Sequence, residues 1–429
     1  MRRLSVIAKP SILNQRKRSD REANEPLSGI GEKITAEVAV VGGGPAGLVS
    51  AIALATAGVE TLLIARPAEA DHRTTALLAG SVTALETLGV WEACRLNAAP
   101  LAKIRIVDDT ARLIRAPEVV FAAAEIGLDA FGHNIENRHL LAALFARATA
   151  MKNLSHVAGS ALAVESDGTG VTIKLADAEA RVKLAIGADG HRSLCRAAAG
   201  IGSQRRTYPQ TALTLNLKHA RPHDDVSTEF HTALGPFTLV PLPDRRSSLV
   251  CVLDPATAAK LVAKTDEELS TEIERRAHSL LGKMSVEPGR GIFPLAVEKA
   301  DASARGRIAL VGEAAHVVPP IGAQGLNLGL RDSATIAEIV ADARRQNLDV
   351  GAPGVLATYE TQRRADLASR TMVVDLLNRS LLTDFIPAQS ARGLSLYLVD
   401  RIGPLRRALM REGVAPAASQ PRLMRDEMV

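Results

Sequence analysis

The 429-residue chain predicts an α/β fold of Rossmann-like type carrying an α+β insertion, and three segments make that prediction. A short apolar strand, Val38–Val41, runs into Gly42, Gly44 and Gly47 at G-x-G-x-x-G spacing, then into a helix and a second strand. A strand end at Leu184–Ile186 meets an Asp-Gly turn and a helix start. A strand at Ile308–Val311 turns at Gly312 and leads to a helix that opens among Gly322 and Gly325. Strands that alternate with helices build a parallel sheet, and such sheets bind ligands where their strands end.

The first 33 residues carry Arg2, Arg3, Arg16, Lys17, Arg18 and Arg21 among polar residues. They lack the apolar core of a secretory signal, and Asp20, Glu22 and Glu25 argue against a transit peptide. A disordered basic tail over 1–33, or an over-long start, is the expectation.

The element at 36–65 sets the fold. Its glycines permit a tight turn, close approach of a pyrophosphate and close helix–sheet packing, with Pro45 and Ala46 inside the same cradle. The helix runs from Pro45 to about Ala57, and Gly58 hands the chain to a strand at Glu60–Ile64. Residues 38–59 hold no charge, which on its own suits a membrane span. The spaced glycines, the interior Pro45 and the strand-like start favour the βαβ reading; a βαβ unit without a nucleotide stays open. An acid about 20 residues past the glycines usually closes such a site on the ribose. Here Ala65 stands there, with Arg66 next, so an NADP site with Arg66 on a 2′-phosphate is an alternative.

Asp189 ends its strand where α/β sheets make ligand contacts; a plain Asp-Gly turn is the other reading. Residues 205–297 change character. The segments 211–220, 227–244 and 247–254 are rich in β-formers, and Lys260–Leu281 has helical spacing. We read a mixed or antiparallel sheet inserted into the dinucleotide fold. Phe237, Leu239 and Pro241 serve either as cavity wall or as sheet core.

The stretch RIALVGEAAHVVPPIGAQGLNLGLRD, residues 307–332, is the most telling. Pro319 and Pro320 fix the approach, and a helix opening on Gly322, Gln324 and Gly325 offers bare N–H groups and positive dipole to an anionic or electron-rich ligand. Leu326, Leu330, Ile336 and Val340 keep helical spacing after it. Alone it is also an ordinary strand–turn–helix unit. A simple NADP dehydrogenase has no need of it.

Taken in order and at these separations, the three segments resemble the FAD-dependent aromatic hydroxylases typified by para-hydroxybenzoate hydroxylase. More narrowly, the chain resembles the ubiquinone-biosynthesis hydroxylases within that group. DHRTTALLAGSVTALETLGVW at 71–91, IENRHLLAALF at 135–145 and the segment 375–416 carry the narrower likeness, which covers about residues 36–416. The resemblance implies an FAD-binding domain over 34–204 and 298–370, a substrate-binding sheet over 205–297, and a C-terminal helical region over 371–429.

Gly42, Gly44 and Gly47 would then hold the FAD pyrophosphate and adenosine side. Arg73 would sit near the flavin and its phosphates, and Asn137 or Arg138 would touch the cofactor. Asp189 would support the pyrophosphate region. Glu313 stands where the family more often has Asp, and would reach a ribityl hydroxyl. Gly322 to Asn327, with Gln324, Gly325 and Leu326 between, would lie against the isoalloxazine ring and stabilise reduced flavin through their N–H groups. NAD(P)H would reduce the flavin, O2 would be activated on it, and an electrophilic oxygen would reach an electron-rich ring. No catalytic base is named. For His316 a structural or cofactor-side hydrogen bond is the expected role. The implied substrate is a lipophilic, polyprenylated phenol or quinol, with a small soluble aromatic, or a non-catalytic scaffold in a quinone-biosynthesis complex, as alternatives.

Composition agrees. A 47% hydrophobic chain can bury a large core, while 3% aromatic content speaks against base-stacking surfaces for nucleic acid. Cys94, Cys195 and Cys251 are few, odd and scattered, which fits a reduced cytoplasm, and no histidine spacing suggests a metal. Near the end, Leu394, Leu396, Leu398, Ile402, Leu405 and Leu409 interleave with Arg392, Arg401, Arg406, Arg407 and Arg411. Such a helix either lies on an anionic bilayer, here the inner face of the inner membrane, or packs on the first domain with a solvated arginine face. A homo-oligomer or a multi-enzyme complex is an expected form.

Overall fold

The computed structural model describes residues 32–67, 71–110, 117–320, 322–366, 402–414 and 420–429. The expectations for residues 1–31 and for 371–401, including Leu394, Leu396 and Leu398, lie outside the described residues.

Each strand of the first βαβ unit is apolar on both sides because both faces of its sheet are covered. Val38–Val41, Thr61–Ala65, Leu154–Ala158, Leu184–Gly187 and Ile308–Leu310 form a parallel sheet, extended antiparallel by Ala304–Arg305. Alternation along a strand sends Val38 and Val40 to one face, where the helices Pro45–Thr56, Asn137–Thr149 and Gln324–Arg345 pack. Ala39 and Val41 go to the other face, against a four-stranded sheet built from Glu32–Thr35, Ala163–Ser166, Val171–Lys174 and Ala178–Val182. The uncharged run 38–59 is thus strand, turn and helix, and no helix among the described residues is long and apolar enough to cross a membrane.

A nine-stranded mixed sheet forms the second layer, with the long strand Ser203–His219 between Gly291–Ala300 and Arg246–Leu253. It continues through Pro236–Leu242 and Val226–His231. It also draws strands from outside 205–297: Lys103–Asp108, which pairs parallel with Val226–His231, then Val119–Ala122, and His316–Val317 at the far edge. Leu213, Leu215, Phe230, Phe237, Leu239 and Leu249 point to one face and are buried under two helices. Phe237 and Leu239 are therefore sheet core, and Phe237 also lines a pocket with Leu234 and Cys251.

The sequence spacing predicts one helix over Lys260–Leu281; the structure has two, Pro255–Val262 and Asp266–Arg276. The break is a capping box. Glu268 N donates to Thr265 Oγ1 at 3.2 Å, and Thr265 N donates to the Glu268 carboxylate at 3.0 Å.

A three-stranded sheet, Thr74–Leu78 with Gly132–Glu136 and Ala98–Pro100, joins the two layers. Asn134 on it donates to the Pro241 carbonyl and to Ser248 across the joint. The helix Gly403–Val414 packs Met410 beside Phe131, and Leu423 and Met424 of the last turn are buried against the first domain.

Candidate cofactor site

The glycine turn is shaped by backbone crowding. Gly42 has φ +123°, and a Cβ there would lie 2.2 Å from the Ala188 carbonyl oxygen. A Cβ on Gly47 would lie 2.1 Å from the Gly42 oxygen, so the helix can cross the strand end only where both residues are bare. Gly44 differs: it is exposed, has φ −73°, and a Cβ on it would meet nothing within 4 Å. It is the N-cap of Pro45–Thr56, with no capping side chain and no acid in the first turn. The helix start therefore presents unused N–H groups and its positive end to open space, a cradle that suits a pyrophosphate. Ala46 is small because the cradle is tight. Its carbonyl accepts from Ser50 and Ser333, and its methyl faces Gly312.

Ala65 ends its strand beside this turn and Arg66 is exposed next to it. Asp189 serves its own turn. Its carboxylate accepts from Ser193 Oγ at 2.6 Å and from Cys195 N at 3.1 Å, bracing the chain whose Ala188 abuts Gly42.

Arg73 is half-exposed and is gripped by a residue the sequence reading passed over. Its Nε donates to Asp71 Oδ1 at 2.9 Å and its Nη2 to Oδ2 at 2.8 Å. Burial works against the Asp71 carboxylate, but the bonds from Arg73 and Asn137 outweigh it and hold its pKa below the ordinary value. Asn137 is part of the same assembly. Arg138 turns away to the buried Glu136, which also accepts from Arg246 and Asn216 and so pins the two layers together. Across from Arg73 stands Glu313, exposed in the turn Gly312–Ala314 and without a hydrogen bond among the described residues. After the bonds to Asp71, its charge is one more influence raising the Arg73 pKa.

The second helix start completes the site. Gly322 at φ +63° and Ala323 at φ +55° swing the chain into Gln324–Arg345, again with no acid in the first turn. Gly322, Gly325 and Pro320 are exposed there, Gln324 and Leu326 half-buried. Asn327 is buried, and its side chain is fully used: it accepts from Leu78 N at 2.9 Å and donates to the Ala76 and Ala323 carbonyls. It ties this helix to the strand that follows Arg73. Two bare helix starts, a cation and an unpaired carboxylate thus converge where the parallel strands end.

Comparison with known proteins agrees with this geometry. Residues 35–373 match the family model described as FAD binding domain. The chain is 36% identical to ubiquinone hydroxylase UbiL of Rhodospirillum rubrum over 415 residues, covering 94% of this chain and 95% of that one. It is 32% identical to the 3-demethoxyubiquinol 3-hydroxylase of Escherichia coli, over 87% of this chain and 97% of the relative. The chain belongs to the ubiquinone-biosynthesis hydroxylase family of FAD-dependent monooxygenases. Its fold is shared with p-nitrophenol 4-monooxygenase PnpA from Pseudomonas putida DLL-E4, at TM-score 0.72 and 22% identity, covering 89% of this chain and 98% of that one.

In this flavin monooxygenase the site rests on a buried charge cluster that the sequence reading did not find. Asp332, in the middle of the second glycine helix, accepts from Gly312 N at 2.9 Å and from Arg363 Nε at 2.6 Å, and pairs with His316 Nε2 at 2.7 Å. Arg363 and Arg331 both reach Asp366, so two carboxylates and two guanidiniums balance. Burial opposes ionisation of Asp332, yet Arg363 and His316 beside it keep its pKa below the usual value. His316 thus takes the structural role, fixing the turn that carries Glu313. The sequence signal was the charged pair Arg331-Asp332 in a helix that carries Leu328, Leu330, Ile336 and Ala337 close on either side.

Proposed function

We propose that this monooxygenase hydroxylates the aromatic ring of a polyprenylated phenol or quinol in ubiquinone biosynthesis, using NAD(P)H and O2. What carries the reading is near full-length similarity to a ubiquinone hydroxylase, joined to two helix starts that have neither a capping side chain nor an acid in the first turn. Bound FAD supplies the redox chemistry that activates oxygen. The chain supplies everything else. Gly42 to Gly47 would seat the pyrophosphate, Glu313 would accept from a ribityl hydroxyl, and the amides near Gly322 to Asn327 would stabilise the negative charge the flavin gains on reduction. Thr214, Thr238, Val240 and Val250 lie on the sheet face opposite the buried leucines, and form the floor that orients the substrate ring and excludes water.

The helix Gly403–Val414 exposes Leu409, with Ile402 just before it, at 51% and 44%, and also exposes Arg407 and Arg411. This helix rests on the anionic cytoplasmic side of the membrane, where a prenylated substrate dissolves.

The test is genetic and chemical together. A strain lacking the gene should lose ubiquinone and accumulate a prenylated phenol short of one oxygen, and the purified yellow protein should hydroxylate that compound. An unchanged ubiquinone pool, with no other hydroxylase to substitute, would direct the search to small soluble aromatics.

A further inference from the structure

We propose that Asp71 and Asn137 are positioning residues that aim Arg73 at a phosphate of the bound dinucleotide; this rests on the flavin reading above. The guanidinium is held along one edge by Asp71, which is itself held by Asn137. Asp71 takes Nε and Nη2 in a two-pronged bond and also accepts from Arg73 N at 2.9 Å. Asn137, 8% exposed, donates through Nδ2 to Asp71 Oδ2 at 2.9 Å. Thr75 Oγ1 in turn donates to Asn137 Oδ1 at 2.6 Å, which fixes the amide the right way round. Asn137 N also donates to the Arg73 carbonyl at 2.9 Å, so helix and strand carry the same assembly. The guanidinium lies over the Phe293 ring, 5.8 Å from its centroid.

What is left is Nη1, which has no partner among the described residues, on a side chain 54% exposed. A half-exposed ion pair contributes little to stability, so a buried asparagine and a threonine committed to one need another purpose. A planar fork locked along one edge by a carboxylate, with Nη1 open on the other side, is the geometry that recognises a phosphate. Asn137 thus acts through Asp71 rather than by touching the cofactor.

The experiment is a double-mutant cycle on the full chain, titrating the flavin-free protein with FAD, FMN and riboflavin. Arg73→Ala should weaken FAD and FMN by about 10- to 100-fold, the range for a charge-assisted hydrogen bond. Riboflavin, which has no phosphate, should bind as before. Asp71→Ala and Asn137→Ala should each give part of that loss, and neither should add as much as about twofold in the Arg73→Ala background. Independent, additive losses, or an equal loss for riboflavin, would overturn the proposal. Asp71→Asn is the second variant should Asp71→Ala fail to fold, and the melting temperature of each flavin-free variant separates lost fold from lost aim. A yellow protein indifferent to Arg73 sinks this proposal alone; a protein that binds no flavin sinks the function reading as well.

Discussion

Gly42 and Gly44 stand two residues apart in one motif, and the structure assigns them opposite sensitivities. Alanine at Gly42 must adopt φ +123° and place its methyl 2.2 Å from the Ala188 oxygen, with Asp189 N at 3.0 Å. The backbone conformation alone costs about 1–3 kcal/mol, and the neighbour in the way is main chain, which cannot swing aside. A loss above about 3 kcal/mol follows, a large share of a typical domain's stability. Alanine at Gly44 keeps φ −73° and meets nothing within 4 Å, so the flavin-free protein should change by no more than about 1 kcal/mol, the cost of a poorer N-cap. Its methyl would, however, stand in the open space where the pyrophosphate is to pass. Losing one or two charge-assisted bonds to the helix N–H groups weakens FAD by at least about 10-fold. Thermal melting of the flavin-free variants and fluorescence titration with FAD separate the two effects. Gly44→Ala with wild-type FAD affinity, or Gly42→Ala with a wild-type melting temperature, would refute the assignment of the cradle.

Asp332→Asn leaves Arg331 and Arg363 sharing one carboxylate in the interior, and should destabilise the protein by about 3–5 kcal/mol in urea unfolding. Because the folded Asp332 pKa is lowered, its contribution is complete above the unfolded value near 3.8 and fades as pH falls further, so the variant's stability should depend less on pH in that acid range. Thr265→Ala removes half of the capping box and should cost about 1 kcal/mol without touching FAD affinity, read by denaturant melts and titration. Reversing Arg407 and Arg411 to Glu should abolish sedimentation with anionic vesicles at low salt, and high salt should weaken the wild type; no binding of the wild type at either salt would remove the membrane contact.

The parts legible from sequence are those where local backbone geometry leaves one residue type. Gly42, Gly47 and the strand–turn–helix patterns are of that kind, and the α/β class and family followed from them. The positions of Arg73, Asn137 and Asp189 were legible too, but the partners of their side chains were not. Asn137 lies 66 residues from Asp71 and meets it only because Thr74–Leu78 pairs antiparallel with Gly132–Glu136, a register no spacing along the chain encodes. The same blindness hid Lys103–Asp108 from the large sheet, since its parallel partner, Val226–His231, comes more than a hundred residues later. Asp332 was missed for a different reason. A helical pattern assigns charged residues to a solvated face, yet Gln324–Arg345 is buried almost all round, and its charges are balanced by Arg363 and Asp366 from the helix at 353–366. Long-range pairing, rather than residue chemistry, is thus what turns a recognisable motif into a working site: the motif residues supply bare backbone, and the charged side chains mostly hold that backbone in place.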